Sequence, residues 1–321
     1  MSHQAKSHQA KSHQDGSFPD ADPGKHHSTT SMDRPETSAA NDSTVDFTVD
    51  FTVDFTAYDD LDADSGVRWS TWLDVEPLSR GPQPRPDWVV TSQGAIDTEL
   101  GILKTGKEAD VFLVERADPL DPDRGVVMAA KRYRSAEHRT FHRSASYTEG
   151  RSMRRSRDER AIKRKSTFGK LVASGEWAIS EWDALKRLWL LGLPVPYPVQ
   201  IDGTEILMEW ITVDGESAPR LAQTRPQPDL LESYFAQLTD AMATMVQAGV
   251  VHGDLSAYNI LAAGERLVII DLPQVVDLVG NVNAMDFLMR DCTNICTWFR
   301  HKGLVSADEQ VLFGELVAHA F

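Results

Sequence analysis

Cysteine is nearly absent: Cys292 and Cys296 are the only two in 321 residues. No disulfide framework can therefore stabilise the chain, which suits a reducing compartment. Spaced four apart in a helical pattern, the pair reads as two small side chains on one buried helix face, since a zinc site would need two further ligands nearby. No uninterrupted apolar run approaches the ~18 residues of a membrane span. The start, Met1 to Gly16, is polar and has no apolar segment of the secretory kind. No membrane association is expected, and a cytoplasmic location is. An excess of positive charge is also missing: the formal net charge is -15, which argues against nonspecific nucleic-acid binding by the molecule as a whole. Finally, the loop Lys104 to Asp110 holds a single glycine, Gly106, so it is neither a Gly-x-Gly-x-x-Gly hairpin nor a Walker A loop.

What the chain does contain is unevenly spread. Residues 1–66 open with SHQAK repeats and carry VDFT repeats over 45–56. Small polar residues dominate there, so a disordered tail is expected, with foldable sequence from about Val67 onward, giving a domain over 67–321. The histidines at 3, 8 and 13 read as part of a solvated tail. Charge is segmental: Lys131 to Lys170 has 14 Lys plus Arg against four acidic residues, whereas Asp42 to Asp64 is acidic without a basic residue.

Beyond the Pro-rich join Pro82 to Pro86, Trp88–Ser92, Ile102–Glu115 and Val126–Tyr133 read as strands, the last after a turn between Asp118 and Gly125. Helical spacing runs from Trp177 to Leu191, a strand covers Glu205–Ile211, and a long amphipathic helix, Leu230–Ala248, ends at Gly249. A short strand Val250–His252, a strand Leu267–Asp271 and helices Ala284–His301 and Ser306–Ala320 complete the pattern. Strands followed by helices predict an α+β fold: a small antiparallel-sheet lobe, about 88–208, then a mainly helical lobe, about 212–321.

The most specific chemical signal is Val251-His252-Gly253-Asp254-Leu255-Ser256-Ala257-Tyr258-Asn259, followed by the apolar strand ending at Asp271. An aspartate five residues before an asparagine, with a second aspartate at a strand end, gathers three oxygen-bearing side chains at one cleft. Phosphoryl transfer requires that set: one carboxylate orients the attacking hydroxyl, and the amide and other carboxylate hold magnesium, a hard ion that takes oxygen ligands.

These residues resemble the RIO family of atypical serine/threonine protein kinases. The family's His-Gly-Asp-Leu-Ser-x-Tyr-Asn loop is matched by His252 to Asn259, its metal-binding strand end by Ile270-Asp271-Leu272-Pro273-Gln274, and its shortened phosphate loop by Lys107-Glu108-Ala109-Asp110-Val111-Phe112. A later Phe-Leu-x-Arg-Asp is matched by Phe287 to Asp291. The resemblance spans roughly 88–305 and implies a protein-kinase-like two-lobed fold, with ATP and Mg2+ as cofactors. It implies a protein serine or threonine, or the chain itself, as phosphoryl acceptor. It also implies that Asp271 can take the phosphoryl group in an ATPase cycle.

Reading the other positions alongside gives Asp254 and Asp271 as catalytic groups, and Asn259 and Asp271 as metal ligands. Lys131, at the end of an apolar strand, reaches the α- and β-phosphates and is held by Glu181, one turn into the helix from Trp177. Main-chain N–H groups around Thr105 to Lys107 cradle phosphate. Met208, Glu209 and Ile211 lie in the connection between lobes, with backbone for the adenine edge and Met208 as apolar lining.

The basic stretch 138–170 falls where the family carries an insertion. It reads either as a solvated loop or as a dock for an anionic partner: RNA, a ribosomal particle, or the acidic tail of the same chain. The low-complexity start leaves no room before Trp88 for the winged helix of the second RIO subfamily. The chain therefore sits nearer the first, although Pro273-Gln274 is worded like the second. A long activation loop ending in Ala-Pro-Glu is absent between Asp271 and Asn281. Two other classes stay open at this point: a small-molecule kinase resembling aminoglycoside or choline phosphotransferases, and a non-catalytic ATP-sensing scaffold.

Overall fold

A computed structural model describes residues 66–134 and 167–320. The repeat-bearing start and all but the end of the basic stretch 138–170 lie outside the described residues.

Six strands form one antiparallel sheet: β1 (Val67–Trp69), β2 (Ile96–Thr105), β3 (Ala109–Asp118), β4 (Asp121–Tyr133), β5 (Pro198–Asp202) and β6 (Glu205–Glu209), in the order β1-β2-β3-β4-β6-β5. Helix α1 (Thr167–Leu190) falls between β4 and β5 in the chain. The second part consists of α2 (Pro228–Gln247), α3 (Ala284–His301) and α4 (Glu309–Ala318) with three small two-stranded ladders: β7 (Thr212–Val213) with β8 (Glu216–Ser217), β9 (Val250–Val251) with β12 (Val276–Asp277), and β10 (Ile260–Ala263) with β11 (Arg266–Ile269). This is the α+β, two-lobed arrangement expected.

Alternation along β3 and β4 turns Val114, Met128 and Ala130 inward, where Trp72, Val89, Tyr197, Val199 and Leu207 cover them. The sheet thus begins at Val67, and Trp72 packs into its core, ahead of the first strand expected from sequence. Trp88–Ser92 is not a strand. Its apolar residues are core material, with Val89 and Val90 buried, but the segment turns at Pro86, whose carbonyl accepts from Val89 N at 3.1 Å, and pairs with no edge. A buried polar knot fixes the register: Arg116 donates to both Asp97 oxygens at 2.6 and 2.8 Å and to Gln200 Oε1 at 2.9 Å. Gln200 Nε2 in turn donates to Thr71 Oγ1 at 2.8 Å. Buried ion pairs add little net stability but penalise slipped pairings, because a slip would strand a desolvated charge.

The larger core joins α1 through Trp182, Leu185 and Leu188 to α2 through Leu231, Leu238 and Met245, and to α3 through Leu288, Ile295 and Phe299. Each fully buried side chain of this kind stabilises the fold by roughly 1.5–3 kcal/mol. Helix α2 closes where Gly249 takes φ +76°, the left-handed conformation that glycine adopts without a Cβ penalty. Cys292 and Cys296 are both fully buried on α3, and burial pushes their thiols up to about 12 and about 11.

Candidate active site

Between the sheet and the helical part lies a cleft of about 760 Å3. Lys107, Lys131, Glu181, Met208, Glu209, Ile211 and Asp271, all singled out from sequence, line it; Asp254 and Asn259 do not.

Lys131 sits near the end of β4 with its ammonium inside the cleft. Its Nζ donates to Glu181 Oε1 at 2.7 Å and to Asp271 Oδ1 at 2.8 Å. Burial alone would push this ammonium toward neutrality, but the charges of Asp271 and Glu181 outweigh it and hold Lys131 well above its ordinary value. Conversely, Lys131 keeps the Asp271 carboxyl below the usual carboxylate range. Glu181 lies well inside α1, not one turn from its start, because the helix begins at Thr167. Gly169 and Gly175, poor helix formers, mask that first part in the sequence. The Glu181 side chain is only 2% exposed. Beyond Lys131 it accepts from the Tyr133 hydroxyl and, at 3.3 Å, from Leu272 N. One carboxylate therefore ties α1 to β4 and to the residue after Asp271.

The turn between β2 and β3 explains the single glycine. Gly106 N donates to Ala109 O at 3.0 Å, and a Cβ on Gly106 would lie 2.6 Å from that same carbonyl oxygen. Any other residue must therefore distort the turn. Asp110 is clamped by two bonds of 2.5 Å from Arg134, whose hydrogen bonding holds the Asp110 carboxyl below its ordinary value. In the connection from β6, Glu209 N donates to Tyr197 O and Ile211 O accepts from Ala218 N, both at 2.9 Å. Those two groups are engaged within the protein, which leaves only the other backbone groups of this segment for a ligand. Met208 lines the cleft and also packs on the main core.

Asp254 and Asn259 sit on the loop after β9. Asn259 Nδ2 donates to Asp254 O at 2.8 Å, and Asn259 O accepts from Ile270 N at 2.9 Å, joining this loop to the residue between the end of β11 and Asp271. Buried His252 meets Ile270 O at 3.2 Å, and burial pulls its imidazole down from its ordinary value. The half-buried Asp254 carboxylate accepts no hydrogen bond among the described residues.

Two supports were not assigned from sequence. Asp291 on α3, 1% exposed, accepts from Gly253 N and Leu255 N, both at 2.8 Å, so it holds the loop on either side of Asp254. Burial raises its carboxyl to about 7. Its signal lay in the Phe287 to Asp291 match, which carried no role. Tyr133, the second donor to Glu181, had no signal beyond lying two residues from Lys131.

A RIO domain model matches residues 120–312. The chain belongs to the RIO family. The RIO-type serine/threonine-protein kinase Rio1 of Haloferax volcanii is 33% identical over 224 residues, covering 70% of each chain. The RIO1 serine/threonine-protein kinase of Caenorhabditis elegans is 32% identical over 68% of this chain, which spans only 40% of that relative. Among solved structures, the Rio2 kinase–ADP/Mg2+–phosphoaspartate complex from Chaetomium thermophilum aligns at TM-score 0.46 and 26% identity, over 63% of this chain and 56% of that one. The RIO relatives are thus named as kinases in archaea and animals alike, and the His252–Asn259 loop falls inside the matched domain.

The donor chemistry fits magnesium. Asp271 is kept ionised by Lys131, and with Nδ2 spent on Asp254 O, the acceptor left to Asn259 is its Oδ1. Among the described residues no group of three or more His, Cys, Asp or Glu is arranged to hold a metal ion. A carboxylate plus an amide, completed by phosphate oxygens and water, is nonetheless a sufficient set for magnesium.

Proposed function

We propose that the protein transfers the γ-phosphoryl group of Mg-ATP to a serine or threonine hydroxyl, on a protein substrate or on itself. The observation that carries this reading is the convergence on Lys131: a buried glutamate and a strand-end aspartate share one ammonium at the wall of a cleft sized for a nucleotide.

Lys131 binds phosphate oxygens, and Glu181 sets its direction from inside α1. An incoming polyphosphate competes with Asp271 for the ammonium, which releases the aspartate to its ligand role. Asn259 and Asp271 would hold magnesium, which when bound neutralises charge on the phosphates. Asp254 accepts a hydrogen bond from the attacking hydroxyl and takes its proton as the bond to the γ-phosphorus forms and the bond from that phosphorus to the bridging oxygen breaks, ADP leaving. The connection 208–211 and the Gly106 turn position adenine and phosphates. The mechanism is mainly placement and electrostatics, as phosphoryl transfer demands.

Asp271 is a second acceptor in this reading, forming an acyl phosphate that water then hydrolyses. Incubation with ATP labelled at the γ-phosphate, followed by acid and hydroxylamine, separates the two. Label stable to hydroxylamine reports serine or threonine; label lost to it reports an aspartate. No label at all, together with no phosphate release, would sink the proposal and favour the ATP-sensing scaffold. The basic stretch 138–170 is the segment we assign to an anionic partner such as RNA. Charge-neutralising substitutions there should abolish RNA binding without changing nucleotide binding.

A further inference from the structure

Lys131 is not the only cation in the cleft. Lys104, near the end of β2, and Arg220, between β8 and the short turn before α2, line it as well. They come from opposite sides: Lys104 from the sheet, and Arg220 from the helical part, where its backbone bridges to Leu261, two residues beyond Asn259. Lys104 is exposed at the rim and Arg220 is half-buried.

Lys131 has its charge matched by Glu181 and Asp271 at ion-pair distance. Among the described residues, neither Lys104 nor Arg220 has a carboxylate within that distance. Both nevertheless sense Asp271 electrostatically, and Lys104 is pulled down by burial and then by the charge of Arg220. Two cations without an ion-pair partner among the described residues therefore enter one cleft, and both lie within electrostatic reach of Asp271. Like charges that share a cleft repel, and a polyvalent anion bound among them relieves that repulsion further than Asp271 alone does. A diphosphate or triphosphate is such an anion, whereas adenosine is not.

We propose that Lys104 and Arg220 form a cross-cleft phosphate clamp, one cation from each lobe, that grips the polyphosphate of the bound nucleotide and discriminates by its charge. The inference rests on the cleft being the nucleotide site. It adds that the lobes are electrostatically bridged by the phosphates themselves, through residues distinct from Lys131.

The test is calorimetric titration of the full chain and of Lys104→Ala, Arg220→Ala and the double variant with Mg-ATP, Mg-ADP and adenosine, alongside thermal unfolding without nucleotide. Each single change should weaken ATP binding by roughly fivefold, the scale of one solvent-screened ion contact. ADP should lose less and adenosine nothing. Without nucleotide, the midpoint of unfolding should stay the same or rise, because a repulsion is removed, which also reports that the variants fold. Equal weakening for ATP and adenosine, or wild-type affinity for ATP in the double variant, overturns the clamp. If the unsubstituted chain binds none of the three ligands, the nucleotide-site reading itself fails, a distinct result.

Discussion

Replacing Glu181 by glutamine removes one charge while keeping the shape of the side chain and an oxygen for Tyr133 or Leu272. In the structure Lys131 shares its proton-rich ammonium between Glu181 at 2.7 Å and Asp271 at 2.8 Å, with side-chain exposures of 13%, 2% and 47%. The Glu181 side of this arrangement is the dry, rigid one; the Asp271 side is half in water. Loss of the buried charge leaves Lys131 governed by its wet partner, so the ammonium follows Asp271 rather than the phosphates. Removing one member of a buried pair costs ~3–5 kcal/mol when the other is stranded. Here Asp271 remains as a partner, so the stability loss should be nearer ~1–2 kcal/mol, since surviving exposed pairs compensate only in part. The catalytic effect should be larger. Displacing a phosphate-holding group by about 1 Å can cost on the order of 100-fold in rate. Glu181→Gln should therefore fold, bind nucleotide within a few-fold of the unsubstituted chain, and transfer phosphate ~100-fold more slowly. Radiolabel transfer, calorimetry and thermal unfolding measure the three. A variant transferring phosphate within about twofold of the original rate would refute the idea that Glu181 orients Lys131.

Further expectations concern other parts of the same site. Asp271→Asn should greatly weaken magnesium-dependent ATP binding, read by titrating Mg2+ at fixed ATP; unchanged affinity would contradict the metal role. Gly106→Ala puts a Cβ against Ala109 O at 2.6 Å, so affinity for ATP should fall several-fold while global unfolding shifts by no more than ~2 kcal/mol. Asp291 has a folded-state value of about 7 against an ordinary 3.8. Between these pH values the folded chain holds a proton that the unfolded chain has lost, so this group's contribution weakens as pH rises from about 4 to about 7. Denaturant unfolding across that range should show the stability gap between Asp291→Asn and the original chain moving in the variant's favour as pH increases; a pH-independent gap would argue that Asp291 is ionised throughout.

The positions of Asp254, Asn259 and Asp271 were legible because they are local: each owes its place to a turn or to the end of a short strand. Lys131 was legible from its strand, and Glu181 from helical spacing, although Gly169 and Gly175 hid the start of α1. Long-range partnerships were not legible. Nothing in the sequence near Asp291 says that its oxygens reach back to Gly253 N and Leu255 N, nor that Arg220 lines the cleft from a segment whose backbone bridges to Leu261. The misread segment Trp88–Ser92 shows the complementary failure. Its alternating pattern reports burial correctly, but a strand also requires pairing with a sheet edge, and this segment turns at Pro86 instead.

The central claim is that Asp254 acts on the attacking hydroxyl and not on the nucleotide. Its most direct test is Asp254→Asn with Mg-ATP labelled at the γ-phosphate, comparing binding and transfer in one preparation. The account expects nucleotide affinity close to that of the original chain and transfer at least ~100-fold slower, the scale of a lost general base. Undiminished transfer would contradict it.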